Sequence, residues 1–377
     1  MLEQPPLSLY VHLPWCVRKC PYCDFNSHAA DGELPESAYL SALLADLDDE
    51  LALTGGRALQ SIFIGGGTPS LMSASFYHAL MGEIRARMPM APGIEVTMEA
   101  NPGTFEQARF AGFREAGVNR LSLGVQSFDD SALRALGRIH GGDEARAAIA
   151  AAQQLGFDSL NLDLMHGLPG QTVQAAMDDL EQALAFVPTH LSWYQLTIEP
   201  NTEFYVRPPP LPVDDTLWEI QEQGQQRLAA AGLEQYEISA YGRAGFQCQH
   251  NLNYWRFGDY LGIGAGAHGK LTLSDGAIQR RWKQRQPKRY LGGERLAGAQ
   301  VISGDELALE FMMNVLRLHH GVAVESFSAR TGLPLAAVAE PLRRAREREL
   351  LCQDRHRLAP TELGRRFLNE LLALFYP

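Results

Sequence analysis

The chain has 377 residues, 46% hydrophobic and 20% charged, and its 33 Lys+Arg against 44 Asp+Glu give a formal net charge of −11. This composition suits a large globular core; it excludes a disordered chain and argues against nucleic-acid wrapping or anionic-membrane binding as the main function. No stretch approaches the ~18 uninterrupted apolar residues of a membrane span, and the start, MLEQPPLSLYVHLPWC, has no basic n-region or apolar h-region, so no secretory signal is expected.

The first predicted element is LSLYVHL (7–13), a buried strand. Similar runs follow at QSIFIG (60–65), GIEVTME (93–99), NRLSLGVQ (119–126), DSLNLDLM (158–165) and HLSWYQL (190–196). Between them lie helix-like segments, PESAYLSALLADLDDEL, SASFYHALMGEIRARM, TFEQARFAGFREAG, GGDEARAAIAAAQQLG and TVQAAMDDLEQALAFV. Runs nearly continuous in Val, Ile and Leu fit parallel strands covered on both faces. Repeated βα units predict an α/β fold with a parallel sheet, either open and doubly wound or a full or partial barrel.

Directly after the first strand comes Cys16-Val-Arg-Lys-Cys20-Pro-Tyr-Cys23, which holds three of the five cysteines; the others are Cys248 and Cys352. An odd count without an export signal argues against a disulfide framework. Three thiolates on one short loop can ligate three irons of a [4Fe–4S] cube, leaving the fourth iron open to a substrate or cofactor. Structural zinc is the alternative, with His12 or His28 completing four ligands.

Polar residues then recur at strand ends. The second strand ends in Gly65-Gly66-Gly67-Thr68-Pro69, the third in Glu99-Ala-Asn101-Pro102, the fourth in Gln126-Ser127-Phe128, and the fifth carries Asp163 before HGLPGQT. The glycine run is neither a dinucleotide nor a P-loop pattern; it lets a ligand meet bare backbone. Singly, these residues read as turns and caps. In register after four successive strands they mark a ligand site, because such sheets bind at their carboxyl ends.

After about residue 200 the texture changes. VRPPPLPVDD reads as a linker, 215–231 as a helix, and HNLNYWRFGDYLGIGAGAHGK as a glycine- and aromatic-rich stretch. From about 303 the pattern is helix, helix, helix, wing, helix, with LLCQDRHRLAP as a two-stranded wing. This predicts a mainly helical, winged-helix-like module. Its ten Arg against ten Asp+Glu make a poor phosphate binder, so no nucleic-acid partner is expected.

The C-x-x-x-C-x-x-C loop, with Tyr22 before the last cysteine and a strand before the first, resembles the radical S-adenosylmethionine superfamily. The resemblance implies a partial (β/α)6 barrel. It also implies a [4Fe–4S] cluster on Cys16, Cys20 and Cys23, whose open iron chelates S-adenosylmethionine and whose electron cleaves a C–S bond to a deoxyadenosyl radical. The pattern YVHLPWC, GGGTP, E-x-N-P, GVQSF and DLMHGLPGQT, over about 7–200, further resembles the branch containing oxygen-independent coproporphyrinogen III oxidase. Carried over to matching positions, that family's cofactor contacts fall on Tyr10, Gly66, Gly67, Thr68, Glu99, Gln126, Arg138 and Asp163. Arg138 rests mainly on the resemblance; its charge suits the cofactor carboxylate.

Two departures separate the chain from the oxidases. Their fourth cysteine is replaced by Phe25, and their long N-terminal segment has no counterpart before the strand at about residue 7. Both match the haem chaperone family called HemW. His250-Asn251-Leu-Asn-Tyr254-Trp255, with Cys248 just before it, resembles that family's H-N-x-x-Y-W motif. The resemblance implies a haem contact set of His250, Asn251, Tyr254, Trp255 and Cys248, with His250 as first iron ligand. A cargo that must be released argues for a partly exposed, glycine-flanked loop, and His268 in GAGAHGK is another candidate ligand. Read from the residues alone, Tyr254 and Trp255 are core and His250 is a hydrogen-bonder.

Three functions follow: a haem chaperone that keeps a radical core, a porphyrinogen oxidative decarboxylase, or another radical enzyme of unknown substrate. The chaperone is expected, with porphyrinogen oxidase activity absent and haem carried as cargo. Its implied partners are haem-accepting apo-proteins, respiratory ones among them, with transient membrane-surface contact, and its implied location is the cytoplasm. The expected organisation is a core over 1–235, a family-specific region over 236–300 and the helical module over 301–377.

Overall fold

Six strands form the centre of the molecule: β1 (Leu7–Leu13), β2 (Leu59–Gly66), β3 (Met90–Ala100), β4 (Arg120–Gln126), β5 (Ser159–His166) and β6 (His190–Gln195). Each pairs in parallel with the next. The structure is a computed structural model and describes residues 2–30, 32–103 and 107–376. The connections carry helices α1 (Glu36–Leu51), α2 (Ala74–Arg87), α3 (Phe110–Ala116), α4 (Gly142–Leu155) and α5 (Val173–Ala185). The start of the predicted helix TFEQARFAGFREAG lies outside the described residues.

Successive side chains alternate across a strand, and here the alternation sorts polarity. Leu7, Leu9, Val11, Ile62, Ile64, Val96, Met98, Leu121, Leu123 and Leu162 join one apolar core with the helices. On the opposite face stand Ser8, Ser61, Glu95, Arg120, Asn161 and His190, a polar interior that an apolar-run reading does not anticipate.

The sheet extends beyond these six strands. After α6 (Asp214–Ala230) come β7 (Glu234–Gln235), β8 (Ala240–Gly242), α7 (Gln249–Trp255), β9 (Asp259–Ile263), β10 (His268–Thr272), β11 (Ile278–Lys283) and β12 (Leu296–Val301). The twelve-stranded order is β12-β11-β10-β9-β1-β2-β3-β4-β5-β6-β8-β7. The glycine- and aromatic-rich stretch therefore returns to the first strand, with β9 parallel to β1. Buried charges hold it there. Asp259 receives Arg57 Nη1 at 2.7 Å and Lys270 Nζ at 3.1 Å, and Lys283 Nζ donates to Asp46 and Glu50 of α1, each at 2.5 Å.

A second apolar core around Phe311, Phe327, Leu342 and Leu358 belongs to the C-terminal module. Its helices are α8 (Gly304–Val315), α9 (Glu325–Thr331), α10 (Ala339–Glu347), α11 (Glu362–Arg366) and α12 (Leu368–Ala373). The expected wing is present as a Leu351↔Pro360 bridge. Its Arg357–Leu358 strand also pairs with Val322–Ala323, a partner the sequence did not reveal. Among the described residues no helix is long and apolar enough to cross a membrane.

Candidate iron–sulfur and cofactor site

The cysteine loop leaves the carboxyl end of β1 and is closed at its base. Trp15 and Cys16 pair with His28 and Ala29, and Trp15 sets its edge on Tyr39 at 4.7 Å between ring centroids. Within the loop Cys23 N donates to Cys20 O at 3.1 Å. Cys16, Cys20 and Cys23 all line one cavity of about 340 Å³. Burial pushes the Cys16 and Cys23 thiols up, so each resists ionisation unless a positive centre compensates it.

Arg138 lies beside the thiols. Its Nη2 donates to Asn101 Oδ1 at 2.7 Å and Gly124 O at 2.9 Å, its Nη1 points to Cys20 Sγ at 3.7 Å, and its Nε is buried with no partner. On the cavity wall Glu99 and Asp163 present two carboxylates, neither in a salt bridge among the described residues. Asp163 is held by Ser122 Oγ at 3.0 Å and Asn161 Nδ2 at 2.8 Å. Among the described residues Glu99 accepts only from Gly66 N, at 3.1 Å. Burial first and the Asp163 charge second push Glu99 up to about 7. Burial also raises Asp163.

These features fit the implied groups. Among the described residues no three His, Cys, Asp or Glu side chains gather closely enough for a single metal ion, whereas a cube takes one thiolate per iron. Two carboxylates without a cation suit the sulfonium and ammonium of S-adenosylmethionine. A guanidinium with a spare donor suits its carboxylate.

The cavity collects Gly66, Gly67, Thr68, Glu99, Gln126, Arg138 and Asp163 of the expected cofactor contacts. Tyr10 faces an adjoining cleft of about 510 Å³, which shares Gly66, Glu99 and Phe25 with the first. The glycines act differently from expectation. Gly66 N and Gly67 N are already bonded, to Glu99 and to Leu13 O. Gly66 has φ +118°, and a Cβ on Gly67 would lie 2.5 Å from Trp15 O. Their absent side chains let this turn pack against the chain that leads into the cysteine loop. Gln126, with φ 69°, is a non-glycine residue in the left-handed region, and Tyr194 Oη donates to its Oε1 at 2.7 Å. Ser122, Ser192 and Tyr194 also line the cavity. Sequence reading missed them, although their period-2 placement on β4 and β6 is the signal that finds them.

The H-N-x-x-Y-W segment departs from expectation. It is helix α7, not an exposed loop, and it closes the floor of the polar interior. His250 is 1% exposed. Ser61 Oγ lies 2.9 Å from its Nδ1 and Tyr254 Oη 2.8 Å from its Nε2, so both ring nitrogens are engaged and Asn251 is not the partner. Burial and the Arg120 charge lower its pKa to about 3. Cys248 is fully buried, with Sγ 3.6 Å from Glu95 Oε1. Glu95 also accepts from Gln249 N and His250 N, capping the helix. Trp255 carries the Arg317 guanidinium on its face at 4.1 Å, which ties α7 to the C-terminal module. As placed, neither His250 nor Cys248 offers a free ligand atom to haem, because each is spent on internal contacts.

Residues 10–183 match the radical SAM superfamily and 302–367 the HemN C-terminal domain. The chain is 53% identical over 375 residues to heme chaperone HemW of Escherichia coli strain K12, covering 100% of this chain and 99% of that one. It is 34% identical over 386 residues to heme chaperone HemW of Bacillus subtilis strain 168, covering 98% of each. Among solved structures, Escherichia coli coproporphyrinogen III oxidase (HemN), a radical SAM enzyme, superposes with a TM-score of 0.83 at 23% identity, covering 99% of this chain and 90% of that one; this shows a shared fold. With a radical SAM fold, a HemN-type C-terminal domain and relatives matched from end to end, the chain belongs to the heme chaperone HemW family.

Proposed function

We propose that the chain is a haem chaperone that holds a [4Fe–4S] cluster on Cys16, Cys20 and Cys23, binds S-adenosylmethionine beside it, and passes haem to acceptor apo-proteins. One observation carries the cofactor reading: a single cavity gathers three thiols, the Arg138 guanidinium and, among the described residues, two carboxylates free of salt bridges. The end-to-end likeness to a protein named as a heme chaperone supports the cargo. In this reading residues 1–235 form the core, 236–300 floor and extend it, and 301–377 pack behind α7.

When bound, the cluster and S-adenosylmethionine supply a one-electron donor and a cleavable carbon–sulfur bond. The chain's own residues bind and orient. Arg138 pairs with the methionyl carboxylate, while Glu99 and Asp163 draw in the cationic end and accept from ribose hydroxyls. Ser122 and Asn161 fix the Asp163 carboxylate before any ligand arrives, so little reorganisation remains.

The test is anaerobic reconstitution followed by three measurements: iron content, S-adenosylmethionine binding by calorimetry, and haem transfer to an apo-haemoprotein. Iron near four per chain, saturable cofactor binding and transfer are expected. A reconstituted chain that neither retains nor transfers haem overturns the chaperone reading.

A further inference from the structure

We propose that the haem-binding site is the cleft beside the cofactor cavity, with His268 as the iron ligand and Arg285 as the partner of a propionate. This rests on the haem-chaperone reading and gives its cargo a place.

His12 has both ring nitrogens engaged, Nδ1 with Tyr10 Oη and Nε2 with Asn26 O, each at 2.9 Å. His250 beneath the cleft is likewise bonded at both nitrogens. His268 differs. It is exposed at the start of β10, its side chain lines the cleft, and neither ring nitrogen is hydrogen-bonded to another described residue. Burial and the nearby Arg280 and Arg285 charges lower its pKa, favouring the neutral imidazole that binds iron.

The surroundings suit a flat, mostly apolar ring with acidic edges. Tyr254 and Tyr260 meet edge-on at 4.4 Å, and Tyr10 stacks on Phe63 at 6.2 Å, so one wall is aromatic. Phe25 is 60% exposed at the mouth, an apolar ring left in water without a covering group. Arg285 is exposed beside His268, and among the described residues its one side-chain hydrogen bond is a long 3.4 Å one from Nε to Asn26 Oδ1, which leaves its guanidinium available to a carboxylate. Asn26 fixes the rim, since its Nδ2 donates to Ala265 O and Arg285 O at 2.9 Å each. The cleft, about 510 Å³, falls within the usual range for a small-molecule site. The H-N-x-x-Y-W motif then contributes through Tyr254, whose ring the His250 bond holds toward the cleft, making His250 a positioning residue.

The experiment titrates haem into the reconstituted full chain and reads the Soret band, the ferric spin state by electron paramagnetic resonance, and affinity. Wild type, His268→Ala, Arg285→Ala and His250→Ala are compared, each checked for fold by circular dichroism. His268→Ala is expected to shift the Soret band and change the spin state, with added imidazole restoring both. Arg285→Ala is expected to keep the wild-type spectrum while weakening haem roughly tenfold, and to show no loss against a haem diester lacking free carboxylates. His250→Ala, in its folded fraction, is expected to keep the axial-ligand spectrum. An unchanged His268→Ala spectrum, or loss of the ligand signal in folded His250→Ala alone, overturns this site while leaving the chaperone reading intact. A wild-type chain that binds no haem overturns both.

Discussion

His250 and Tyr254 stand one helical turn apart on α7, and His250 Nε2 lies 2.8 Å from Tyr254 Oη. With Ser61 on the other ring nitrogen, this bond makes the histidine a strut between the floor helix and strand β2. Above it the Tyr254 ring faces the cleft next to the cofactor cavity. The motif is thus joined to the site through packing, and its histidine is the buried part of it.

Replacing His250 with Ala should destabilise the fold by about 2–4 kcal/mol, because it leaves a cavity and strips Ser61 and Tyr254 of a buried partner. His250 is neutral in the fold with its pKa lowered to about 3, against about 6.5 for a free imidazole. Its contribution is therefore complete above about pH 6.5 and is lost as pH falls toward 3. Denaturant unfolding at pH 7 and pH 5 should show the wild-type advantage over His250→Ala shrinking at the lower pH.

Each of Cys16→Ala, Cys20→Ala and Cys23→Ala should abolish the broad visible charge-transfer absorption and bring iron close to zero after anaerobic reconstitution. Cys352→Ala should leave both unchanged, since that thiol lies in the C-terminal module and, among the described residues, bonds only to Asp354 O and Arg357 O. Iron analysis and absorption spectra check this, and stoichiometric zinc without iron would contradict the cluster.

Glu99→Ala and Asp163→Ala should each weaken S-adenosylmethionine by roughly 1–3 kcal/mol, the range for a hydrogen bond to a charged group. The pH dependence separates them from structural roles. Glu99 sits near 7, raised by burial and by Asp163, so without ligand its ionisation costs stability as pH rises from its ordinary 4.5 through about 7. A cationic ligand favours the ionised form. Affinity should therefore rise as pH passes upward through about 7, and Glu99→Gln should flatten that rise. Calorimetric titration across this range is the measurement.

Lys283→Met should cost about 3–5 kcal/mol, because it leaves the buried Asp46 carboxylate without its cation and leaves Glu50 with Arg281 alone. The loss should appear as a lower denaturant midpoint and as faster proteolysis within 259–301, the segment these charges pin to α1. A double replacement, Lys283→Met with Asp46→Leu, should recover part of it.

Coproporphyrinogen III incubated with the reconstituted chain, S-adenosylmethionine and reductant should remain unoxidised. Phe25 replaces the oxidase family's fourth cysteine and stands 60% exposed. Turnover near ~1 s⁻¹, the low end of ordinary enzyme rates, would contradict this.

The cysteine loop, the βα alternation and the strand-end residues Thr68, Glu99, Gln126 and Asp163 were legible in the sequence because their signals are local. A strand's period places its ends, and parallel strands in chain order bring those ends to one side. The same period carried Ser122, Ser192 and Tyr194, which passed as ordinary strand residues because nothing in a single run says which face is hollow. Only the tertiary structure decided the rest. Residues 259–263 reading as a strand beside β1 depends on pairing across more than two hundred positions. His250 reading as a strut depends on Ser61, 189 residues away. A histidine's role is set by what occupies its two nitrogens. At His250 one partner lies a turn away on the same helix and the other on a distant strand, so the motif resembled an open ligand until the fold filled both positions. His268, in a less distinctive stretch of sequence, has neither ring nitrogen bonded to another described residue.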